Sequence, residues 1–595
     1  MTAGKRAGRR AEPHDPKTGT HMSIGTTAPR KYASIVKNET LEDYSLRYAP
    51  QSFRKWGSYT VATTALGGIA YMADFSIGGS IAISHGFTNA IIAILVSAVV
   101  IFATGVPISY YSARYGIDMD LLTRGAGFGY LGSTLTSVIY ASFCFIFFAL
   151  EGSIMAQAFN VGLGIPLSVG YLLAALVILP LVIFGMSLLS KLQVWTQPIW
   201  LLMMVLPFVA IAARHPGAFS KFVHFVGTGT SSHFTAIGFG LGAGVALSLI
   251  AQIGEQVDYL RFMPEKTEAN SVRWWAAVLC AGPGWVVLGA LKQIGGAFLA
   301  AYIAERVGMV KADEPIQMFL SGYNAFIPAA ALTLAVIYVI LSQVKINVTN
   351  AYSGSLSWSN FFSRLLHRHP GRVVWIFFSV GISLTLMEVG VFSFLNSVLG
   401  FYSNVAIAWI GAVVADLVVN KPLGLSPPYI EFKRAHLYNF NPVGFGSMLI
   451  ASIVSILAYF SAFGETGKAF STFIAIGLAF MLSPVIAIAT KGKYYIARAD
   501  TMPDPMVVDG QMSSATHECL VCATSYERPD VVMCPHHGGT VCSLCCSIER
   551  SCHDSCKNGN VTLTDKRSGT YEAPIDVTDA RPGTSPVPAA ASTAN

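Results

Sequence analysis

The chain has 595 residues, of which 53% are hydrophobic and only 12% are charged, and its formal net charge at pH 7 is +7. Soluble globular domains carry roughly 25% charged residues, so this composition excludes an ordinary soluble protein. Because the basic excess lies mainly in the N-terminal tail and in loops, as in the cytoplasmic segments of membrane proteins, we expect no nucleic-acid binding.

Residues 1–56 are polar and basic, and they lack the apolar core that marks a cleaved signal peptide. Residues 57–490 instead contain repeated apolar windows, each long enough to cross the hydrocarbon core of a bilayer. Membrane-spanning backbone must satisfy its own hydrogen bonds, so these windows are predicted helices. The windows cover residues 57–83, 87–112, 133–159, 168–187, 194–213, 234–257, 275–303, 327–350, 372–389, 392–419, 443–463 and 469–490. The sequence therefore predicts an all-α membrane protein with about twelve transmembrane helices.

The distribution of basic residues between the loops predicts the orientation of these helices. If the N-terminus is inside, most loop Lys and Arg residues fall on the inner side, where membrane proteins collect them. The outer loops then hold only Arg214, Lys221, Arg306, Lys311 and Lys468. We therefore expect a multi-pass protein of the plasma (inner) membrane with both termini in the cytoplasm.

Glycines interrupt two of the predicted spans at corresponding positions in the chain. The first span contains Gly67 and Gly68, and the sixth contains a glycine-rich stretch over residues 238–254. Transporters place their binding sites near broken helices of this kind, whereas glycines also simply allow close helix packing. Because these are the first helices of two five-span halves, the pattern favours an inverted five-plus-five repeat followed by two additional helices.

Ionisable side chains inside the spans are the next candidates for function, because they are costly in a bilayer and usually face a cavity or a partner. Glu151 lies at the centre of the third span and Lys345 at the centre of the eighth. Glu151 is predicted to bind a ligand or carry a proton, with a purely structural carboxylate as the alternative. Lys345 is either a fixed cation or one half of a structural ion pair, and Lys292 in the seventh span is expected only to extend its amine toward the membrane surface.

Several short motifs resemble those of the nucleobase–cation symporters, which include permeases for cytosine, purines, uracil, allantoin and hydantoins. They are Arg114-Tyr-Gly-Ile117, Leu122-Thr-Arg124, Phe128-Gly-Tyr-Leu-Gly-Ser133, Val257-Asp-Tyr-Leu-Arg-Phe262 and Ala415-Asp416. The resemblance implies a leucine-transporter-like fold and secondary-active transport of a nucleobase-like N-heterocycle. It implies a permease rather than an enzyme, and the alternative that we keep is a ligand sensor or receptor with a signalling tail.

The resemblance also implies which residues contact the substrate. In this family the substrate ring lies between aromatic side chains of spans 3 and 6, and an amide of span 3 bonds it. These positions fall on Phe147 and Glu151 in span 3, on Ser248 and Leu249 in span 6, and on Asn350 in span 8, or on Ala351 under an alternative register. One aromatic side chain is therefore kept, the other is replaced by leucine, and the amide has become a carboxylate.

A sodium site is the other feature that the resemblance implies, and here the chain departs from the family. The span-1 carbonyls fall near Gly67 and Ala70, but the two span-8 hydroxyls are replaced by Lys345 and an apolar neighbour. Since Na⁺ requires oxygen ligands, we expect no sodium site, with Lys345 in place of the ion. Transport would then be coupled to H⁺ or proceed as uniport.

A cysteine-rich module follows the spans, after a polar linker at residues 491–518. Its ligand pairs are Cys519 and Cys522, Cys534 and His536, Cys542 and Cys545, and Cys552 and Cys556. Close pairs of this kind suit two tetrahedral Zn²⁺ sites, with an iron–sulfur cluster as the less favoured alternative. We expect residues 519–557 to form a metal-binding module with a possible cytoplasmic signalling partner, and residues 558–595 to be disordered.

Overall fold

The computed structural model describes residues 46–54, 56–183, 185–229, 233–508 and 511–557. Most of the predicted N-terminal tail and the whole predicted disordered tail at residues 558–595 lie outside the described residues.

Helices make up most of the described chain, in agreement with the apolar windows of the sequence. In chain order they are α1 (Ser58–Gly67), α2 (Ala73–Tyr115), α3 (Met119–Thr123), α4 (Ser133–Leu163), α5 (Leu167–Ile183), α6 (Gly185–Arg214), α7 (Ala218–Val223), α8 (Ala236–Ala246), α9 (Gln252–Leu260), α10 (Ser271–Ala281), α11 (Trp285–Val307), α12 (Pro315–Asn324), α13 (Ala331–Leu366), α14 (Arg372–Val389), α15 (Leu395–Ala415), α16 (Gly444–Tyr459), α17 (Gly464–Ala469), α18 (Ser471–Thr490) and α19 (Ser543–Ile548).

Nine helical stretches in the described residues are long and apolar enough to cross a membrane, and α5 and α16 are apolar but shorter. Two of the nine combine neighbouring helices: Ala236–Leu260 contains α8 and α9, and Ser271–Val307 contains α10 and α11. Helix α2 contains both the second half of the first predicted span and the whole of the second. It turns at Gly86, where φ is +75° and only glycine fits without strain. The predicted number of about twelve spans stays a prediction.

The first and sixth predicted spans are both interrupted near their middle. In span 1, helix α1 ends at Gly67, a short 3₁₀ turn covers Gly68–Ala70, and α2 starts at Ala73. In span 6, a 3₁₀ turn at Leu247–Ala251 separates α8 from α9. The span-6 break therefore follows most of the predicted glycine stretch, and the glycines before it serve close packing instead.

The two backbones of α2 and α11 approach each other closely because glycines line the contact. A Cβ atom on Gly78 would lie 1.8 Å from the carbonyl oxygen of Gln293, and one on Gly296 would lie 2.1 Å from that of Phe75. Neither distance is possible for a real side chain, so the two helices can approach this closely only with glycine at these positions. This contact brings span 7 against the break in span 1.

The cysteine module is small and mixed, and it packs against one end of the helical bundle. Its strands are β1 (Val507–Val508), β2 (Gln511–Met512), β3 (Thr516–Glu518), β4 (Ser525–Glu527), β5 (Val531–Cys534) and β6 (Gly539–Cys542). They form three antiparallel pairs, β1–β2, β3–β4 and β5–β6, and α19 follows the last strand. The predicted linker at residues 491–518 thus contains the first two strands and all of β3.

Candidate functional site

The five predicted substrate residues are all buried at the centre of the bundle. Phe147, Glu151, Ser248, Leu249 and Asn350 each expose 2% of their surface or less. The ring of Phe147 packs against Phe143 of the same helix, with 4.5 Å between the ring centroids. The central region is therefore occluded from solvent in this conformation.

Glu151 of α4 accepts hydrogen bonds from the first backbone amides of α2. Its two carboxylate oxygens lie 3.2 Å from the Met72 nitrogen and 3.1 Å from the Ala73 nitrogen. The first amides of a helix lack partners within the helix, and a negative charge is favourable beside them. Glu151 therefore holds the break in span 1 in place, and a carboxylate with about four acceptor positions can still bind further donors.

Helix α13 presents a row of amide side chains to α4. The Asn350 side chain donates to the Oδ1 atom of Asn347 at 3.1 Å, and Asn347 donates to the carbonyl oxygen of Phe148 at 3.4 Å. Both polar atoms of the Gln343 side chain and the Oδ1 atom of Asn350 are buried without a hydrogen-bond partner among the described residues. Residues 343, 347 and 350 recur at helical spacing, which is the sequence signal that would have identified Gln343.

Ser248 and Leu249 lie in the 3₁₀ turn that interrupts span 6. The Ser248 hydroxyl donates to the carbonyl oxygen of Val245 at 2.7 Å, so it is bonded to its own helix. The structure thus places both residues at a helix break, as a binding site requires, but it shows the serine hydroxyl already engaged.

Lys345 points toward span 5. Its Nζ atom donates to the carbonyl oxygen of Gln193 at 3.1 Å and to the Thr196 hydroxyl at 2.8 Å. Gly67 packs against the same Gln193 side chain, and Ala70 is buried in the 3₁₀ turn. The predicted cation-site residues are therefore close in space, but the Lys345 ammonium donates its hydrogen bonds to α6, whereas the span-1 carbonyls of Ile69 and Tyr71 bind a different lysine.

The ammonium at the break in span 1 belongs to Lys292 instead. Its Nζ atom donates to the carbonyl oxygens of Ile69 at 2.6 Å and Tyr71 at 2.9 Å, and it lies 2.9 Å from the Oδ2 atom of Asp74. It also lies 3.8 Å from the centroid of the Tyr71 ring, a cation–π geometry. The prediction that Lys292 only extends toward the membrane surface was wrong, because its side chain is 2% exposed and is held by α2.

Gln293 completes the site at the beginning of α2. Its side-chain amide donates to the Oδ1 atom of Asp74 at 2.9 Å, so neighbouring residues of α11 hold both oxygens of one buried carboxylate. The sequence contains a signal for this pair, since Asp74 and Lys292 have opposite charges and both lie inside predicted spans. Sequence alone did not show that spans 1 and 7 are in contact.

Four of the predicted metal ligands form a compact cluster in the cysteine module. The Sγ atoms of Cys519, Cys522, Cys542 and Cys545 all lie within 4.8 Å of one another, and the four residues are buried. This set joins the first and third ligand pairs of the sequence. Four thiolates at tetrahedral spacing are a ligand set that suits Zn²⁺.

The remaining predicted ligands line a cavity between the module and the loop that contains Arg434. Its walls include Cys534, His536, Cys552 and Cys556, together with Arg434 from the bundle. His536 is engaged in a 3.0 Å contact between its Nε2 atom and the Ser551 hydroxyl. Within the described residues, only Cys519, Cys522, Cys542 and Cys545 come close enough to hold a metal, so the second predicted site is not assembled in this conformation.

The sequence model of a family described as permeases for cytosine/purines, uracil, thiamine and allantoin matches residues 48–480. No curated protein matches the chain in sequence.

Solved structures with a similar fold are transporters. Mhp1, a nucleobase-cation-symport-1 family transporter in a closed conformation with bromovinylhydantoin bound, is 16% identical, with a TM-score of 0.57 over 77% of this chain and 99% of that one. A Na⁺-coupled sialic acid symporter in a substrate-bound outward-open state is 14% identical, with a TM-score of 0.54 over 75% of this chain and 93% of that one. At these identities the likeness concerns the fold, and it confirms the predicted leucine-transporter-like architecture.

Proposed function

Since the chain belongs to the permease family for cytosine/purines, uracil, thiamine and allantoin, we propose that it is a secondary-active permease for a nucleobase-like or hydantoin-like N-heterocycle. The protein is a multi-pass membrane transporter and not an enzyme. The proposal on substrate class is argued from the polar side chains at the centre of the bundle.

The single observation that carries the proposal is the group of unpartnered amide atoms beside Glu151. A buried polar atom without a partner costs free energy, and this cost disappears when a ligand supplies the missing hydrogen bond. Gln343 offers both a donor and an acceptor, Asn350 offers an acceptor, and Glu151 offers acceptors. A flat heterocycle with ring N–H and carbonyl groups matches this set.

Phe147 is the proposed stacking surface for the ring of the substrate. Offset stacking on one aromatic face contributes roughly 0.5–1.5 kcal/mol beyond the buried area. Leu249 supplies only apolar contact in the position where the resemblance implies a second aromatic ring, and Ser248 lines the same break. We therefore expect weaker affinity for the ring and greater dependence on the hydrogen bonds from α4 and α13.

We also propose that transport does not require sodium. Support comes from Lys292, whose ammonium binds the Ile69 and Tyr71 carbonyl oxygens and the Asp74 carboxylate and so places a fixed positive charge at the span-1 break. These carbonyls are neighbours of those near Gly67 and Ala70 that the resemblance implies for sodium. Lys345 places a second ammonium beside span 5, where it binds the Gln193 carbonyl oxygen and the Thr196 hydroxyl, and its chain neighbours Val344 and Ile346 have no oxygen in their side chains. The coupling ion, if there is one, is then H⁺.

We also propose how the protein is oriented in the membrane and which metal its cysteine module binds. The distribution of loop Lys and Arg supports cytoplasmic termini in the plasma membrane. The four-cysteine cluster supports Zn²⁺, and an iron–sulfur cluster is its rival. A cytoplasmic signalling partner of the tail stays a prediction.

A thermal-shift screen of the purified full-length protein tests the substrate class and the ion together. Cytosine, uracil, purines, allantoin and hydantoins are each added in sodium or in choline buffer. We expect at least one of them to raise the melting temperature equally in both buffers. A shift that requires sodium contradicts the proposal on coupling, and no shift with any compound contradicts the proposed substrate class.

Replacing Glu151 tests the proposed site within the same assay. Glu151→Gln removes the charge that accepts ligand donors, and hydrogen bonds to a charged group contribute roughly 1.5–3 kcal/mol. We expect the affinity for the compound found in the screen to fall about tenfold or more. Glu388→Gln, at an exposed position on α14, is the matched control and should bind as the wild type does. Equal affinities for both variants would show that Glu151 does not contact the substrate.

A further inference from the structure

The cysteine module touches the segment that leads into span 1. Glu527, at the end of β4, accepts hydrogen bonds from the backbone amides of Gln51 at 2.8 Å and Ser52 at 3.1 Å, and from the Tyr48 hydroxyl. Nearby, the Arg47 side chain lies 2.5 Å from the Asp530 carboxylate and 4.3 Å from the centroid of the Tyr526 ring. A buried carboxylate that accepts from several donors holds their backbone strongly in position.

The same module is anchored to the loops at the inner ends of spans 3 and 10. Arg434 donates to the carbonyl oxygens of Cys546 at 2.8 Å and Glu549 at 2.5 Å, and it pairs with Asp554 at 2.9 Å. The Tyr130 hydroxyl donates to the Ser547 carbonyl oxygen at 3.4 Å. The module therefore bridges two parts of the permease: the entry to α1 and the loops that precede α4 and follow α15.

The Glu527 and Asp530 carboxylates and the Tyr526 ring, which hold the entry segment, belong to the loop that the four-cysteine cluster closes. One further hydrogen bond, from the Gln51 side chain to the Met512 carbonyl oxygen at 2.5 Å, lies outside this loop. Tyr526, Glu527 and Asp530 lie between the ligand pair Cys519–Cys522 and the pair Cys542–Cys545. The Cys522 sulfur lies 3.3 Å from the Tyr526 hydroxyl, so a ligand atom of the cluster touches the side chain beneath Arg47. A metal bound by the four sulfurs fixes both ends of this loop and thereby its shape.

We propose that the metal-bound cysteine module is a latch that holds the α1 half of span 1 against the scaffold. Helix α1 is separated from α2 by the break at Gly68–Met72, so the two halves of span 1 are not one continuous helix. Alternating access proceeds by the movement of one part of the bundle against another. Restraint of α1 therefore keeps the inner side closed, and loss of the metal releases it. The gating part of this inference rests on the proposed transport function.

Hydrogen–deuterium exchange of the full-length protein in detergent tests the latch without any substrate. The readouts are the amides of Gln51 and Ser52, which bond directly to Glu527, and the amides of α1. We expect Glu527→Ala to accelerate exchange at residues 51–52 by about tenfold or more, since hydrogen bonds to a charged acceptor are lost. Glu518→Ala, on an exposed position of the same module, is the control and should leave this exchange unchanged.

Two further measurements separate the latch from a general loss of structure. The amides of β5 and β6 should keep their protection in Glu527→Ala, because the hydrogen bonds that pair these two strands do not involve Glu527. Removing metal from the wild type with 1,10-phenanthroline should accelerate exchange at residues 51–52 and in α1. Unchanged exchange at residues 51–52 in Glu527→Ala would overturn the latch, and unchanged exchange after metal removal would overturn its dependence on metal. Neither outcome bears on which substrate the permease carries.

Discussion

At the scale of single residues, buried charges determine how span 1 is held. Glu151 binds the first amides of α2, and Lys292 binds the carbonyls at the break together with Asp74. The break exposes backbone N–H donors on one side and carbonyl acceptors on the other. The Glu151 carboxylate therefore binds the donors, and the Lys292 ammonium binds the acceptors. The sequence predicted a buried carboxylate at Glu151, and the structure buries it. The sequence did not predict the backbone amides that this carboxylate binds.

Removing the Lys292 charge should destabilise the protein strongly. Lys292→Met leaves Asp74 buried without its partner, and the loss of one member of a buried pair typically costs about 3–5 kcal/mol. The double variant Lys292→Met/Asp74→Asn should recover part of this loss, because no uncompensated charge remains. Thermal unfolding in detergent measures both effects.

The matched control for this prediction is an ion pair at the protein surface. Lys221 and Glu305 are 2.9 Å apart, with side chains 65% and 76% exposed. Exposed pairs contribute little, so Lys221→Met should leave the melting temperature nearly unchanged. If Lys292→Met and Lys221→Met unfold at the same temperature, the Lys292 pair does not stabilise the break.

Asp500, which follows the last span, provides a prediction on pH. Burial alone would raise its pKa, but Lys433, His436 and Arg528 outweigh burial and lower the pKa to about 2. Its carboxylate lies 2.7 Å from an Arg528 nitrogen and 3.8 Å from the Lys433 amine. A lowered pKa stabilises the folded state above the ordinary pKa of about 4, and this stabilisation is lost as the pH falls through about 2.

We therefore expect Asp500→Asn to lower the free energy of unfolding by about 1 kcal/mol at pH 7, because solvent screens part of the charge interaction at this exposed position. The difference from the wild type should shrink below pH 4 and be nearly absent at pH 2. Paired unfolding curves of the two proteins across this range check the sign. A difference that stays constant with pH would show that the Asp500 charge does not cause it.

At the scale of secondary structure, close packing between helices positions the site. Gly78 and Gly296 allow the backbones of α2 and α11 to meet, and this contact carries Lys292 to the break. Apolar windows predicted most helices well, because a bilayer-spanning helix requires a long apolar run. They did not predict that spans 1 and 2 share the helix α2, because the turn at Gly86 requires only one residue with a positive φ.

Adding one methyl group at the contact between α2 and α11 should be sufficient to disrupt it. Gly78→Ala would place a Cβ atom within 1.8 Å of the Gln293 carbonyl oxygen, so the helices must separate. Overpacking of this kind typically costs about 1–3 kcal/mol. We expect lower thermal stability and loss of any ligand-induced shift in this variant.

Gly477 in α18 offers a control of the same chemistry. A Cβ atom at this position meets nothing within 4 Å. Alanine is a better helix former than glycine, so Gly477→Ala should be neutral or slightly stabilising. Equal destabilisation by both substitutions would mean that the contact with α11 is not responsible.

At the scale of the whole molecule, the cysteine module and the permease form one connected structure. The spacing of the ligand pairs predicted that cysteines of the module come together, and Cys519, Cys522, Cys542 and Cys545 do so, whereas the bound metal stays a prediction. The spacing could not predict which part of the permease the module contacts. These contacts depend on Glu527 and Arg434, whose partners are more than a hundred residues away along the chain. The second predicted metal set, around Cys534 and Cys556, stays a prediction.

Metal analysis of the purified protein tests the cluster. We expect one tightly bound zinc ion per chain that is lost in Cys542→Ser, because this change removes one of four ligands. Cys280→Ser, which alters an exposed cysteine in α10 far from the cluster in sequence, should keep its zinc. Iron with acid-labile sulfide would instead identify the rival cluster, and no metal at all would contradict the site.

The tethered amine of Lys292 has a consequence for the energetics of accumulation. A mobile ion enters on one side of the membrane and leaves on the other, and its gradient can thereby drive a solute uphill. A lysine side chain returns with the protein in every cycle, so it moves no net charge and draws no work from the membrane potential. Under the proposed sodium-independent transport, the permease can only equalise substrate concentrations unless a separate particle such as a proton crosses with the substrate.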